Sequence, residues 1–325
     1  MVIAGEGLAV ASAQPGVAVP VPPRSAATQP SRPNRLYAAI VHTVAYADIF
    51  DWPLTPAEIH RFLPVAATLH EVLSALAAPS GSGRMSGAIV VRDGLAFLRG
   101  RERLVEARSH RAAASARLWP RAVRAAHVVA SLPFVRLVAI TGSLAVSAAS
   151  DEADVDLFVV TEDGRLWLTR ALTIGVVRAA ATRGIRLCPN YFLAESALEI
   201  RERDLFTAHE LAQMVPLAGS ATYHDLLARN AWYRDYLPNH VPADVPGTPG
   251  RMAARALLEW AGRTGPLDRV ERWEMRRKVR RFAAGATSLE QRFDESVCKG
   301  HFDEHRRRVL AAFQERLAGA GWAGG

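Results

Sequence analysis

The chain has 325 residues, half of them hydrophobic, and a formal charge of +8 that rests on arginine, because lysine occurs only at Lys278 and Lys299. That length buries a substantial core and corresponds to two or three domains, while the basic balance permits nucleic-acid or phosphate ligands without requiring them. Two cysteines, Cys188 and Cys298, lacking CxxC spacing, exclude a disulfide framework and a cysteine zinc site, and no apolar run is long enough to span a membrane.

Residues 1–34 are rich in Ala, Pro, Ser and Val, and Pro15, Pro20, Pro22, Pro23, Pro30 and Pro33 deny a regular helix, so a disordered tail is expected. The start lacks a basic run and contains Glu6, which argues against a secretory signal and for a cytoplasmic protein. From 35 to 105 the pattern is compact. Helical spacing of Ile40, Val44, Ala47 and Phe50 ends at Pro53, Thr55 caps a second helix over 56–62, and a third covers 68–77. Residues 88–91 and 95–99 flank Arg92-Asp93-Gly94, a hairpin signal. Three helices and a hairpin resemble a winged helix. Its third helix carries no Lys or Arg, so DNA reading is disfavoured against packing or partner binding, although Arg92, Arg99, Arg101 and Arg103 could let the hairpin touch phosphate.

A basic helical connector is expected over 106–130, broken at Trp119-Pro120. Beyond it lies the one stretch that points to chemistry, LVAITGSLAVSAASDEADVDLFVV at 137–160. It reads as a strand, a Gly142-Ser143 turn, a short helix from Leu144, and Asp154-Val155-Asp156 opening a second strand. Alternation along a strand turns both carboxylates to one side, where two anions repel unless a proton or cation intervenes. Paired hard oxygens suit Mg²⁺ or Mn²⁺, and a glycine beside a helix start admits phosphate oxygens to free N–H groups. Such acids can equally be a solvated strand connection, and that alternative stays open at this level.

Gly142-Ser143 followed by Asp154-Val155-Asp156-Leu157 resembles the signature of the DNA polymerase beta-like nucleotidyltransferase superfamily, over about a third of the chain. The resemblance implies an α/β (α+β) fold with a mixed sheet and flanking helices over 131–240. It implies that Asp154 and Asp156 are catalytic metal ligands and that Gly142 and Ser143 contact a nucleoside triphosphate. Transfer of a nucleoside monophosphate to a hydroxyl of RNA, a protein or a small molecule would follow. The sequence departs from the family at three places. No acid occupies the next strand, 185–193, where Asn190 is the nearest polar residue and Glu195 lies beyond the end; Ser147 stands where many members have glycine; and no arginine lies near Val146. An amide cannot act as a base at neutral pH, so a non-catalytic nucleotide sensor or scaffold is the alternative.

A helical run at 164–182, a helix at 204–214, a short extended piece at 214–217 and a Pro-rich linker at 239–250 complete the pattern. Residues 241–325 are expected to be helical and basic. Within them 269–281 mixes glutamate and arginine, which reads either as a solvated face or as a phosphate or RNA grip beside the active cleft. His301-Phe302-Asp303-Glu304-His305 formally matches a zinc-peptidase pattern, but no third ligand is placed, and a polar helix surface is the favoured reading.

Overall fold

The computed structural model describes residues 32–78, 87–245, 258–260, 265–283, 292–300 and 305–321. The first of these form α1 (Arg32–Asp48), α2 (Pro56–Phe62) and α3 (Leu69–Ala77), followed by a hairpin of β1 (Ile89–Arg92) and β2 (Leu95–Leu98). Helix α1 begins ahead of the expected start at Leu36, and the remainder of the expected tail lies outside the described residues. Thr55 and Thr68 open the two short helices. Each threonine hydroxyl accepts from the backbone N–H three residues on, while Glu58 and Glu71 accept from the threonine N–H at 2.7 and 2.8 Å. These reciprocal caps satisfy donors that a helix start leaves open. Asp93 and Gly94 take φ of 52° and 74°, as a two-residue turn between twisted strands requires. Ile40, Val44, Ile59, Leu63 and Val72 give this module its own core.

Helix α4 (Leu104–Ala130) corrects one expectation, since it runs through Pro120 without a break. An internal proline costs about 3 kcal/mol by removing one N–H and crowding the preceding turn. Burial of Ala122, Ala125, Ala126 and Val129 in the sheet core offsets that cost.

The central sheet has six strands: β3 (Val135–Thr141), β4 (Val155–Thr161), β5 (Leu187–Ala194), β6 (Val215–Ala218), β7 (Arg292–Phe293) and β8 (Val297–Lys299). Their order is β6-β3-β4-β5-β8-β7, with β4 and β5 parallel and the other pairs antiparallel. Between them run α5 (Gly142–Ala145), α6 (Leu166–Ala181), α7 (Leu205–Gln213), α8 (Ser220–Arg229) and α9 (Tyr233–Tyr236); α10 (Gly265–Ala283) and α11 (His305–Gly319) follow. The fold is thus mixed α/β with helices flanking a mixed sheet. Strands β7 and β8 correct the expectation of a wholly helical C-terminal region. They form because the Asp294 carboxylate accepts from the N–H groups of Ser296 and Val297 at 2.8 Å, a tight turn that lets β8 pair with β5.

Alternation along β4 divides the core. Val155, Leu157 and Val159 face α4 and α6, whereas Phe158 and Val160 join Leu137, Ala139 and the apolar side of α7 and α8. Asp156 therefore belongs to the α7 side. The N-terminal module docks on that side: Tyr46 stacks on His209 at 4.0 Å and Arg61 donates to the Ala212 carbonyl at 2.7 Å, while Asp48 accepts from Arg316 of α11 at 2.7 Å. Among the described residues no helix is long and apolar enough to cross a membrane.

Candidate functional site

Thr141 and Asp156 are cross-strand partners, and Gly142 follows at the turn into α5. Gly142 has φ +64°, and a Cβ there would come within 3.1 Å of Asp156 Cγ and closer still to Oδ2. Both the backbone conformation and the close approach call for glycine. Ser147, where the family resemblance expects glycine, has φ +60°. The left-handed backbone persists there without the residue that adopts it most readily, at a cost of about 1 kcal/mol.

The two acids occupy different surroundings. Strand β4 begins at Val155, so Asp154 stands just ahead of it, half-exposed, with Oδ1 2.9 Å from Arg186 Nε. Asp156 lies within the strand. Burial first, and the charge of Asp154 second, push its carboxyl up to about 6, opposed by a hydrogen bond from the Cys188 thiol. Burial and the nearby Asp156 push that thiol in turn up to about 11, which keeps it protonated as a donor.

Asn190 reaches the same carboxylate through an irregularity in β5. Asp156 pairs with Cys188 but Phe158 pairs with Tyr191, so β5 carries an extra residue in the Pro189-Asn190 segment. Bulges re-aim side chains, and proline, lacking an N–H, is tolerated at one. Asn190 Nδ2 donates to Asp156 Oδ1 at 3.1 Å. The position expected to hold a third acid thus binds the second acid as a donor. Glu195, just beyond the strand end, does not turn back to the site but lies 3.5 Å from Arg136.

A cavity of about 630 Å³ opens over these residues. Gly142, Ser143, Asp156 and Asn190 line its floor, and Phe50, Trp52, Arg61 and Arg111 contribute from the N-terminal module and α4. Helix α7 supplies the carboxylate that the sequence pattern did not reveal. Phe206, His209, Glu210 and Gln213 recur at helical spacing along its cavity face. Burial, reinforced by the charge of Asp156 and opposed by Lys299, pushes the Glu210 carboxyl up to about 7. The spacing at 206, 209, 210 and 213 was the available signal; nothing local shows that this face meets Asp156.

His209 is buried against Tyr46, and burial with the neighbouring His42 lowers it to about 3, so it is a neutral wall. His305 lines the cavity and packs edge-on to Phe206 at 5.7 Å, while His301 to Glu304 of the zinc-like pattern lie outside the described residues. Helix α10 corrects another expectation. Met275, Val279 and Phe282 pack with the α4–α6 side of the sheet, so its arginines stand across the sheet from Asp156 and not beside the cavity.

Among the described residues no three His, Cys, Asp or Glu side chains converge as a metal cage. Asp156 supplies a hard oxygen to the cavity, whereas Asp154, two residues away and held by Arg186, does not line it. Mg²⁺ commonly takes one or two carboxylates from a protein and completes its shell with phosphate oxygens and water, so Asp156 alone can serve it, and Asp154 joins only by leaving Arg186. No protein-family model, no curated protein and no solved structure matches the chain.

Proposed function

We propose that the protein binds a nucleoside triphosphate with Mg²⁺, or Mn²⁺, in this cavity and transfers a nucleoside monophosphate to an acceptor hydroxyl, the α–β phosphoanhydride bond breaking to release pyrophosphate, as its resemblance to polymerase beta-like nucleotidyltransferases implies. The packing of Gly142 on Asp156 carries this reading. A bare backbone turn and a carboxylate share one floor of a cavity whose volume falls within the usual range for small-molecule sites. A phosphate and its counter-ion can therefore meet there.

Asp154 and Asp156 would hold the metal, which when bound neutralises phosphate charge and stabilises the attacking and leaving oxygens. Gly142 and Ser143 would bring the triphosphate against the floor. Arg61 and Arg111 place positive charge on the cavity wall, and the buried Nε of Arg61 has no hydrogen-bond partner among the described residues. Glu210, poised at about 7, is suited to accept the acceptor hydroxyl's proton, because a base works best with a pKa near the working pH. The N-terminal module, with its resemblance to a winged helix, would act here as a wall of the cavity and not as a DNA reader.

A second reading, nucleotide sensing without transfer, is favoured by Asn190, whose amide bonds Asp156 where the family resemblance expects an acid. Incubation with α-labelled triphosphates and Mg²⁺ tests both. Label transfer to RNA, to the protein or to a small alcohol, lost in Asp154→Ala/Asp156→Ala, establishes the enzyme. Mg²⁺-dependent binding without transfer establishes the sensor. Binding unchanged by the double substitution, or no binding by the wild type, overturns the site.

A further inference from the structure

Helix α10 sorts its charges by side. Its acids turn inward. Glu271 accepts from the backbone N–H groups of Trp167 and Leu168 at 2.8 and 2.7 Å, capping α6; Asp268 pairs with Arg165 at 2.7 Å; and Glu274 is buried, bonded to Arg277. The outward side keeps the cations. Arg269, Arg272, Arg276 and Arg280 recur at intervals of three and four residues, which aligns them in one stripe about 16 Å long. All four are exposed and have no acidic partner among the described residues.

A solvated mixed-charge helix normally interleaves acids among its surface bases. Here the acids are withdrawn, so like charges remain adjacent and mutually repulsive. Trp273 stands beside the stripe, 61% exposed, with the Arg277 guanidinium 5.2 Å from its ring centroid. Together these residues line a groove of about 370 Å³. An indole left in water beside the four unpaired guanidinium groups of the stripe offers a stacking surface and a row of phosphate-sized cation sites.

We infer that this groove binds single-stranded nucleic acid, with a base stacked on Trp273 and successive phosphates on Arg269, Arg272, Arg276 and Arg280. A single strand fits better than a duplex because its bases are free to stack, and better than an acidic peptide because a peptide carries no recurrent planar ring. The groove lies across the sheet from the cavity, so this site is separate from the nucleotide site proposed above and does not depend on it.

Fluorescence anisotropy of the full-length protein with labelled 12-nucleotide oligouridine and oligodeoxythymidine tests the inference, the two arms distinguishing RNA from DNA. A duplex of equal length and poly-glutamate serve as comparisons. Four phosphate contacts on a single strand predict about 50-fold weaker binding at 200 mM than at 50 mM salt. Trp273→Ala should weaken binding about tenfold. Arg272→Gln with Arg276→Gln should lower the log–log salt slope by about 1.4. All three side chains are exposed, so melting temperature should not change and folding is not in question. Absence of binding at 50 mM salt, indifference to Trp273→Ala, or equal affinity for duplex or poly-glutamate overturns it.

Discussion

Gly142 faces the Asp156 carboxylate across the β3–β4 pair so closely that no Cβ fits between them. A side chain at Gly142 would meet the Asp156 carboxylate while its backbone holds φ +64°. Gly142→Ala should destabilise the fold by about 1–3 kcal/mol through strain and displacement of the carboxylate. In an Asp156→Ala background the cost should shrink to the backbone share alone. Urea denaturation of the four proteins checks this, and strict additivity would show that the two residues do not interact.

Glu210 gives stability a pH dependence of definite sign. Its folded carboxyl titrates near 7 against an unfolded value near 4.5. Below 4.5 both states are protonated and the group contributes nothing. Between 4.5 and 7 only the folded state keeps the proton, so stability falls as pH rises, and above 7 the full cost is present. Glu210→Gln should therefore stabilise the protein at pH 8 by about 1–2 kcal/mol, less than the full shift would give because water reaches the cavity wall, and leave it unchanged at pH 4.5. Denaturant midpoints at the two pH values decide.

Asn190→Asp replaces a donor to Asp156 with a third anion. Without divalent metal the substitution should lower the melting temperature at pH 7.5, since three carboxylates then share one face. With 5–10 mM Mg²⁺, an order-of-magnitude working excess, the loss should be recovered, and the Mg²⁺-dependent rise in melting temperature should exceed that of the wild type. A metal response equal to the wild type's would place residue 190 outside the reach of the ion.

Glu271 ties α10 to α6 by accepting two backbone N–H groups of the first turn of α6. Glu271→Ala leaves both donors without that partner and should cost about 2 kcal/mol. Amide exchange should quicken at Trp167 and Leu168 before the sheet is affected. Uniform acceleration across the sheet would mean that the cap is not a local tie.

Much of the fold was legible because it is written in short-range chemistry. Thr55 and Thr68, each followed three residues later by glutamate, mark helix starts; Asp93-Gly94 marks the hairpin; and apolar runs mark β3 and β4. Pro120 stays within α4 because packing of the alanine-rich half outweighs a local preference, and β8 is a strand because β5 offers it partners. Neither fact is available from neighbours in the chain.

The candidate site divides in the same way. Gly142, Ser143 and Asp156, which line the cavity, and Asp154, which does not, all lie within one strand–turn–strand segment, where alternation and turn geometry act over a few residues. Sequence by itself determined that pair of acids and the turn beside them. Tertiary structure alone decided that a bulge carries Asn190 to Asp156, that α7 lays Glu210 in the same cavity, and that Arg61 comes from a separate module. Those residues stand 34, 54 and 95 positions from Asp156 in the chain, so only the folding of the sheet against its flanking helices brings them to one cavity.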